Sequence, residues 1–416
     1  MKINVLELFS GIGAQRRALE ILNKQFKTNF DVIAISEWDI WANIVYNTIH
    51  NNKEQNDIID INEKLEYLNN FTHSFDSKNP AKNLNKLSDN EISDLYWSYK
   101  KNNNLGSVTD INEDIIFSKI GNIKIDLLTY SFPCQDLSNA GKNFGMAKSE
   151  NTRSSLLWQV EKILDILKVT NRLPKYLLLE NVINMLSPKH RVDYEKWISN
   201  LSEKYGYKTA TMKINAKDYG IPQSRNRVFA ISTLNKKIDT GFFTNKYTNT
   251  IDTKSLFRNI MIESLKNTIF KNTKLDSYLR TNYKNIKFFK EAYNSIPNNT
   301  QSRIKMGKEN PKLNDNKREY SRTITTKQDR HPNAGVINIG YSLLKDYIDD
   351  SKSEYRFLTP RETFLLMGFD DIDIDKIYDE CSYIKPDILY RQAGNSIVVN
   401  VLIVLFYYIW NLENIE

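Results

Sequence analysis

A chain of 416 residues is long enough for two or three domains around a sizeable core, and 40% hydrophobic with 26% charged residues is the composition of a soluble globular protein. The formal net charge of +8 is compatible with a polyanionic partner but does not require one. Two cysteines, Cys134 and Cys381, and four histidines fall in no CxxC or HxxxH spacing, which argues against a disulfide framework or a structural zinc, and no metal site is expected.

The chain opens on MKINVLELF, which reads as a strand and not as a secretion signal, so the cytoplasm is the expected location. Apolar strands are expected at Ile3–Phe9, Val32–Ile35, Ile125–Tyr130, Tyr176–Leu179 and Val228–Ile231. Helical periodicity follows at Ala14–Asn23 and Ser155–Lys168. This alternation predicts an α/β fold, a doubly wound and mostly parallel sheet covered on both faces. An Asn/Lys-rich insertion runs from about Asn51 to Gly106, and no chemistry is legible in it. From Asn235 to Asp350 the alternation fades, with short β-like pieces such as Arg322–Thr326, and a smaller, irregular second domain is expected. The order is thus a large domain over 1–234, a small one over 235–350, and a return segment over 351–416. The apolar run Ile397–Trp410 is broken by Asn400 and is shorter than the ~20 residues of a spanning helix. A buried helix is expected there, with no membrane association.

Candidate ligand residues cluster at strand ends, where doubly wound sheets bind ligands. Phe9-Ser10-Gly11-Ile12-Gly13 joins the first strand to a helix, and its glycines permit a tight turn with a ligand close to the backbone. Glu37 and Trp38 end the second strand, an acidic group for ribose hydroxyls beside a flat ring for an adenine or a sulfonium. Asp110-Ile111 precedes the third strand; Asp110 suits an adenine amino group, and Asp114 serves equally well on sequence grounds.

Ser131-Phe132-Pro133-Cys134-Gln135-Asp136 directly follows the third strand, and Gly141 and Gly145 loosen the loop beyond it. A thiol on such a loop is a nucleophile candidate. Glu180, in LLLENV, emerges from an apolar strand, where partial desolvation favours carrying a proton. Extended alternation places Gln223, Arg225 and Arg227 on one face ahead of the Val228 strand.

These motifs together resemble the bacterial cytosine-5 DNA methyltransferase family in its unpermuted order. The resemblance rests on FSGIGA at Phe9–Ala14, Glu37-Trp38, Pro133-Cys134-Gln135, Glu180-Asn181-Val182, the QxRxR of Gln223, Arg225 and Arg227, RFLTPRETFLLMGF at Arg356–Phe369, and RQAGNSIV at Arg391–Val398. It implies a Rossmann-like methyltransferase sheet, S-adenosylmethionine as donor, and a target-recognition domain in 235–350. It also implies a flipped cytosine attacked at C6 by Cys134, with Glu180 on N3 and the exocyclic amine, Arg225 on O2, and Arg227 steadying the Cys134 loop. Phe9, Ser10, Gly11, Ile12, Gly13, Glu37, Trp38, Asp110, Ile111, Pro133, Leu156, Asn395 and Ser396 are the implied donor contacts. Double-stranded DNA is the implied partner, met by a monomer working beside a restriction endonuclease for the same site. Arg303, Arg318, Arg322, Gln328 and Arg330 are candidate base readers. Three rivals are an RNA cytosine-5 methyltransferase, a non-catalytic DNA-binding regulator on the same fold, and a nicotinamide-dependent dehydrogenase, which shares the first βα turn but leaves Pro133-Cys134-Gln135 and Glu180-Asn181-Val182 without a role.

Overall fold

A computed structural model describes residues 1–54, 56–133, 156–235, 241–247, 250–340 and 342–414. The described chain divides into two compact units: Met1–Ile214 with Asn226–Met261 and Ile403–Glu416, and Asn215–Arg225 with Ile262–Leu402. These limits differ from those expected at 235 and 350. Residues 235–261 cluster with the first unit, and only the last fourteen residues of the expected return segment do so.

The first unit is built on six strands: β1 (Ile3–Leu8), β2 (Phe30–Ser36), β3 (Leu127–Tyr130), β4 (Tyr176–Val182), β5 (Lys208–Asn215) and β6 (Asn226–Thr233). Their order is β2-β1-β3-β4-β6-β5. The pairs β1–β2, β1–β3 and β3–β4 are parallel and β4–β6 is antiparallel, a mixed, mostly parallel sheet as expected. The order reverses beside β1, where the chain runs to β2 on one side and to β3 on the other, and that crevice is where such sheets take ligands.

Leucines and isoleucines fill the strands because a sheet covered on both faces offers them no solvent side. Leu6, Leu8, Leu128, Leu177 and Leu179 join Trp197 and Leu164 in one core. β5, KTATMKIN, has no apolar run, and its Thr209 and Thr211 are buried by hydrogen bonds to Ser232 and Tyr194 at 2.8 and 2.7 Å. The expected terminal helix is Val399–Glu413. Within the first unit its Phe406 and Trp410 rings meet Phe30, and Tyr407 meets Phe26, so it is a buried core helix.

The second unit is largely helical, with one antiparallel pair, β7 (Val336–Asn338) and β8 (Tyr355–Phe357). Arg322–Thr326, expected as strand-like, is irregular and runs into a turn at Thr326. The RFLTPRE motif forms a fully buried ion pair here, Arg356 to Glu362 at 2.7 Å, and Thr359 with Glu362 makes a capping box on helix Pro360–Leu365. Burying both charges is tolerable because further donors, Thr359 N and Arg280 N, complete the Glu362 carboxylate.

Candidate active site

The turn after β1 carries two left-handed glycines. Gly11 has φ +56° and Gly13 φ +80°. A Cβ on Gly13 would lie 2.3 Å from His50 Nε2 and 2.9 Å from the Tyr46 ring, whereas a Cβ on Gly11 meets nothing within 4 Å. The two positions therefore do different work: Gly13 lets the turn sit on the helix behind it, and Gly11 leaves backbone open on the other side. Phe9 is also left-handed at φ +56° and half-buried, while Ile12 is buried. Ser10 is buried, and its Oγ has no hydrogen-bond partner among the described residues.

Glu37 closes this turn. Its carboxylate accepts from Gly11 N at 2.9 Å, Trp38 N at 2.9 Å and Asp39 N at 2.8 Å. Burial, aided by the Asp39 charge, pushes the Glu37 carboxyl up to about 7 against the pull of these N–H groups. Trp38 beside it is half-buried. The open face of Gly11, the unpartnered Ser10 hydroxyl, the Glu37 carboxylate and the Trp38 ring suit a nucleoside carrying a cationic group, so S-adenosylmethionine fits the residues present.

Of the two aspartates left open by sequence, Asp110 is half-buried and accepts from Thr72 N at 3.3 Å and Thr109 Oγ at 3.0 Å. Asp114 is exposed in the first turn of helix Glu113–Ile120, a place that stabilises any carboxylate through the helix dipole. Ile111 lies in the hydrophobic core, and Leu156, half-buried, packs on that core just before helix Leu157–Val169. Asn395 and Ser396 belong to the second unit, at the C-terminal end of helix Pro386–Asn395.

The second constellation lies where β4 and β6 pair. Val182 stands opposite Arg227, so Glu180, two residues earlier on the same face of β4, is the diagonal neighbour of Arg227. Arg227 Nε lies 3.2 Å from Glu180 Oε1, with both side chains mostly buried. Asn181, pointing the other way, donates to the Phe132 carbonyl at 3.2 Å and so fastens the chain that leads from β3 to Pro133. Pro133 is half-buried. Cys134, with Gly141 and Gly145 of its loop, lies outside the described residues.

Extended alternation was expected through Gln223, Arg225 and Arg227, and the backbone departs from it ahead of β6. β6 begins only at Asn226, and a tight turn precedes it, with Arg225 N donating to Gln223 O at 3.0 Å. Gln223 and Arg225 belong to the second unit and are 0% and 2% exposed. Arg225 donates to the carbonyls of Ile324 (2.9 Å), Gly394 (2.9 Å) and Ser396 (2.7 Å). Its two terminal amino groups thus serve three backbone carbonyls of the second unit. Gly394 is glycine because a Cβ would fall 2.3 Å from Thr326 N. The QxR, TITT and AGNS segments thus form one knot around Arg225. Gln328, a candidate base reader, is likewise buried, bonded through its amide to Gly335 O and Ala334 N.

A nucleoside cradle at a switch point of a mixed sheet, with a carboxylate–guanidinium pair at a neighbouring strand end, defines a Rossmann-like enzyme of the methyltransferase class. A model of the C-5 cytosine-specific DNA methylases matches residues 3–76 and 65–410, and the chain belongs to this family. It is 32% identical to the type II methyltransferase M2.ScrFI of Lactococcus lactis subsp. cremoris over 97% of this chain and 98% of that protein. It is 42% identical to the orphan methyltransferase M.SssI of Spiroplasma monobiae over 57% of this chain, a match that spans 61% of that protein's length. The crystal structure of Schizosaccharomyces pombe Dnmt2 methyltransferase superposes with a TM-score of 0.60 and covers both chains fully; at 18% identity it bears on the fold alone.

Proposed function

We propose that this protein is a sequence-specific DNA cytosine-5 methyltransferase, the modification partner of a restriction endonuclease, acting as a monomer on duplex DNA. The observation that carries this reading is the Glu180–Arg227 pair at the end of β4, one residue from the Asn181 that fastens the approach to Pro133-Cys134. Family membership supplies the reaction class, and full-length likeness to a type II enzyme supports the restriction–modification role.

C5 and C6 of a cytosine stacked in a duplex are inaccessible, so the base is extruded into the pocket. The Cys134 thiolate adds to C6, and the C5=C6 electron pair moves into the ring while N3 takes a proton from Glu180. Arg227 faces Glu180 and fixes the carboxyl for contact with N3 and the exocyclic amine. In this reading Arg227, not Arg225, is the arginine of the base pocket, and Arg225 holds the backbone knot of the second unit. The Phe9–Gly13 turn, Glu37, Trp38 and Asp110 would hold S-adenosylmethionine, whose sulfonium would supply the methyl group for C5 and leave as the thioether S-adenosylhomocysteine. Loss of the C5 proton and cleavage of the C6–S bond regenerate the Cys134 thiolate. The second unit supplies target recognition, with lysines and arginines setting the salt dependence of DNA affinity.

Bisulfite sequencing of DNA from cells expressing the protein tests the reading and reports the target. Protected cytosines in one recurring sequence are expected. Methyl transfer confined to transfer RNA, or none to either substrate, would overturn it.

A further inference from the structure

The Asn51–Gly106 insertion has no readable chemistry in its sequence, yet it grips every residue of the turn that carries Glu37 and Trp38. Ser36 Oγ donates to Gly106 O at 2.7 Å, and Leu105 N donates to Ile35 O at 2.8 Å, so 104–106 lies along the end of β2 as an extra rung. Trp38 O accepts from Ser74 N at 2.8 Å, and Ile40 N donates to Ser74 O at 2.9 Å. Asp39 accepts from the Ser77 hydroxyl.

Asn104 is the centre of this grip. It is fully buried, and its amide clamps Glu37 from both sides: Oδ1 accepts from Glu37 N at 3.2 Å and Nδ2 donates to Glu37 O at 3.0 Å. The same Oδ1 accepts from Gly106 N at 2.9 Å, and Nδ2 also donates to Asn43 Oδ1 at 2.7 Å. Tyr99, from the same insertion, donates to Glu37 O at 3.4 Å and touches His73 Nδ1 at 3.2 Å. With its peptide groups held on both flanks, Glu37 has little freedom except to lie across Gly11 N.

We propose that Asn104 is a positioning residue for the donor site, holding Glu37 in the geometry that accepts the ribose hydroxyls of an adenosine-type ligand, and that the 51–106 segment thereby sets donor affinity. This rests on reading the Gly11–Glu37 turn as the donor cradle. A side chain that fixes a carboxylate without touching the ligand changes binding through the cost of reordering the site on each binding event. Its loss is felt in the donor constant and not in the rate once donor is saturating.

The test is titration calorimetry of the full chain with S-adenosylhomocysteine, for wild type, Asn104→Ala, Tyr99→Phe and Glu37→Ala, with duplex-DNA binding without donor and donor KM measured alongside. Asn104→Ala is expected to weaken S-adenosylhomocysteine at least tenfold and raise donor KM to match, with DNA affinity and kcat at saturating donor within twofold of wild type. Tyr99→Phe, which keeps the ring packing, is expected to weaken it two- to fivefold and serves if the alanine variant fails to fold. Wild-type affinity in Asn104→Ala, or in a folded Tyr99→Phe where Asn104→Ala does not fold, while Glu37→Ala loses binding, overturns the proposal and leaves the cradle standing. Wild-type affinity in Glu37→Ala overturns the cradle itself.

Discussion

Alanine at Gly11 and at Gly13 should separate ligand binding from stability within one five-residue turn. Both glycines are left-handed, so either substitution costs roughly 1–2 kcal/mol of backbone strain. At Gly13 the new methyl also collides with His50 and Tyr46, both packed behind the turn, adding about 1–3 kcal/mol of overpacking. Gly13→Ala is therefore expected to lose roughly 2–5 kcal/mol in urea unfolding. At Gly11 the methyl meets no protein atom within 4 Å and projects into the space assigned to the donor. Gly11→Ala should stay within about 2 kcal/mol of wild-type stability and yet bind S-adenosylhomocysteine at least tenfold more weakly, a difference of about 1.4 kcal/mol. Unfolding midpoints and calorimetry on the same samples give both quantities. Gly11→Ala with wild-type affinity would refute the reasoning, because the open side of the turn would then not be where the ligand sits.

Glu7, near the C-terminal end of β1, is fully buried beside Tyr46, and burial pushes its carboxyl up to about 8 despite Arg16 and the Tyr46 hydroxyl. Between the ordinary carboxylate range and pH 8 the native state holds a proton that the unfolded chain has released, so stability falls as pH rises, by at most about 1.4 kcal/mol per pH unit from this group. Glu7→Gln should flatten that slope between pH 5.5 and 8.5 in urea titrations, and an unchanged slope would contradict the assignment. The two arginines of QxRxR should fail differently. Arg227→Ala is expected to cut kcat on duplex DNA by roughly 10²–10³ with little change in melting temperature, the scale of losing one preorganised electrostatic partner. Arg225→Lys keeps the charge but cannot span three carbonyls, so it should destabilise the protein by about 2–4 kcal/mol. The reverse pattern in steady-state kinetics and thermal melts would exchange their roles.

Much of this architecture is legible in the residues because β1, β3 and β4 are mainly apolar strands that lead into a glycine turn, a Pro-Cys and a Glu, and position relative to a strand end predicts ligand contact. What escapes is decided by tertiary partners. β5 is missed because its buried threonines satisfy their hydroxyls across the sheet, and a polar letter hides a core position. Alternation extended through Gln223-Ser224-Arg225 misses a turn, in which Arg225 N donates to Gln223 O one residue before β6 begins. Asn104 carries no signal at all within NNNLG; only its distances to both peptide groups of Glu37 distinguish it from the asparagines beside it. The late RFLTPRE motif carries part of the family resemblance, and its Arg356 and Glu362 are buried against each other and hold the second unit together.

The covalent role of Cys134 is tested most directly by trapping on duplex DNA carrying 5-fluorocytosine at the target position, in the presence of S-adenosylmethionine. Fluorine at C5 cannot leave as a cation, so a thiolate that has added to C6 stays bonded to the base. A denaturation-resistant protein–DNA adduct is expected for the wild type, slowed in Glu180→Gln and absent in Cys134→Ala. An adduct that persists in Cys134→Ala, or that maps by peptide sequencing to any other residue, would contradict the account.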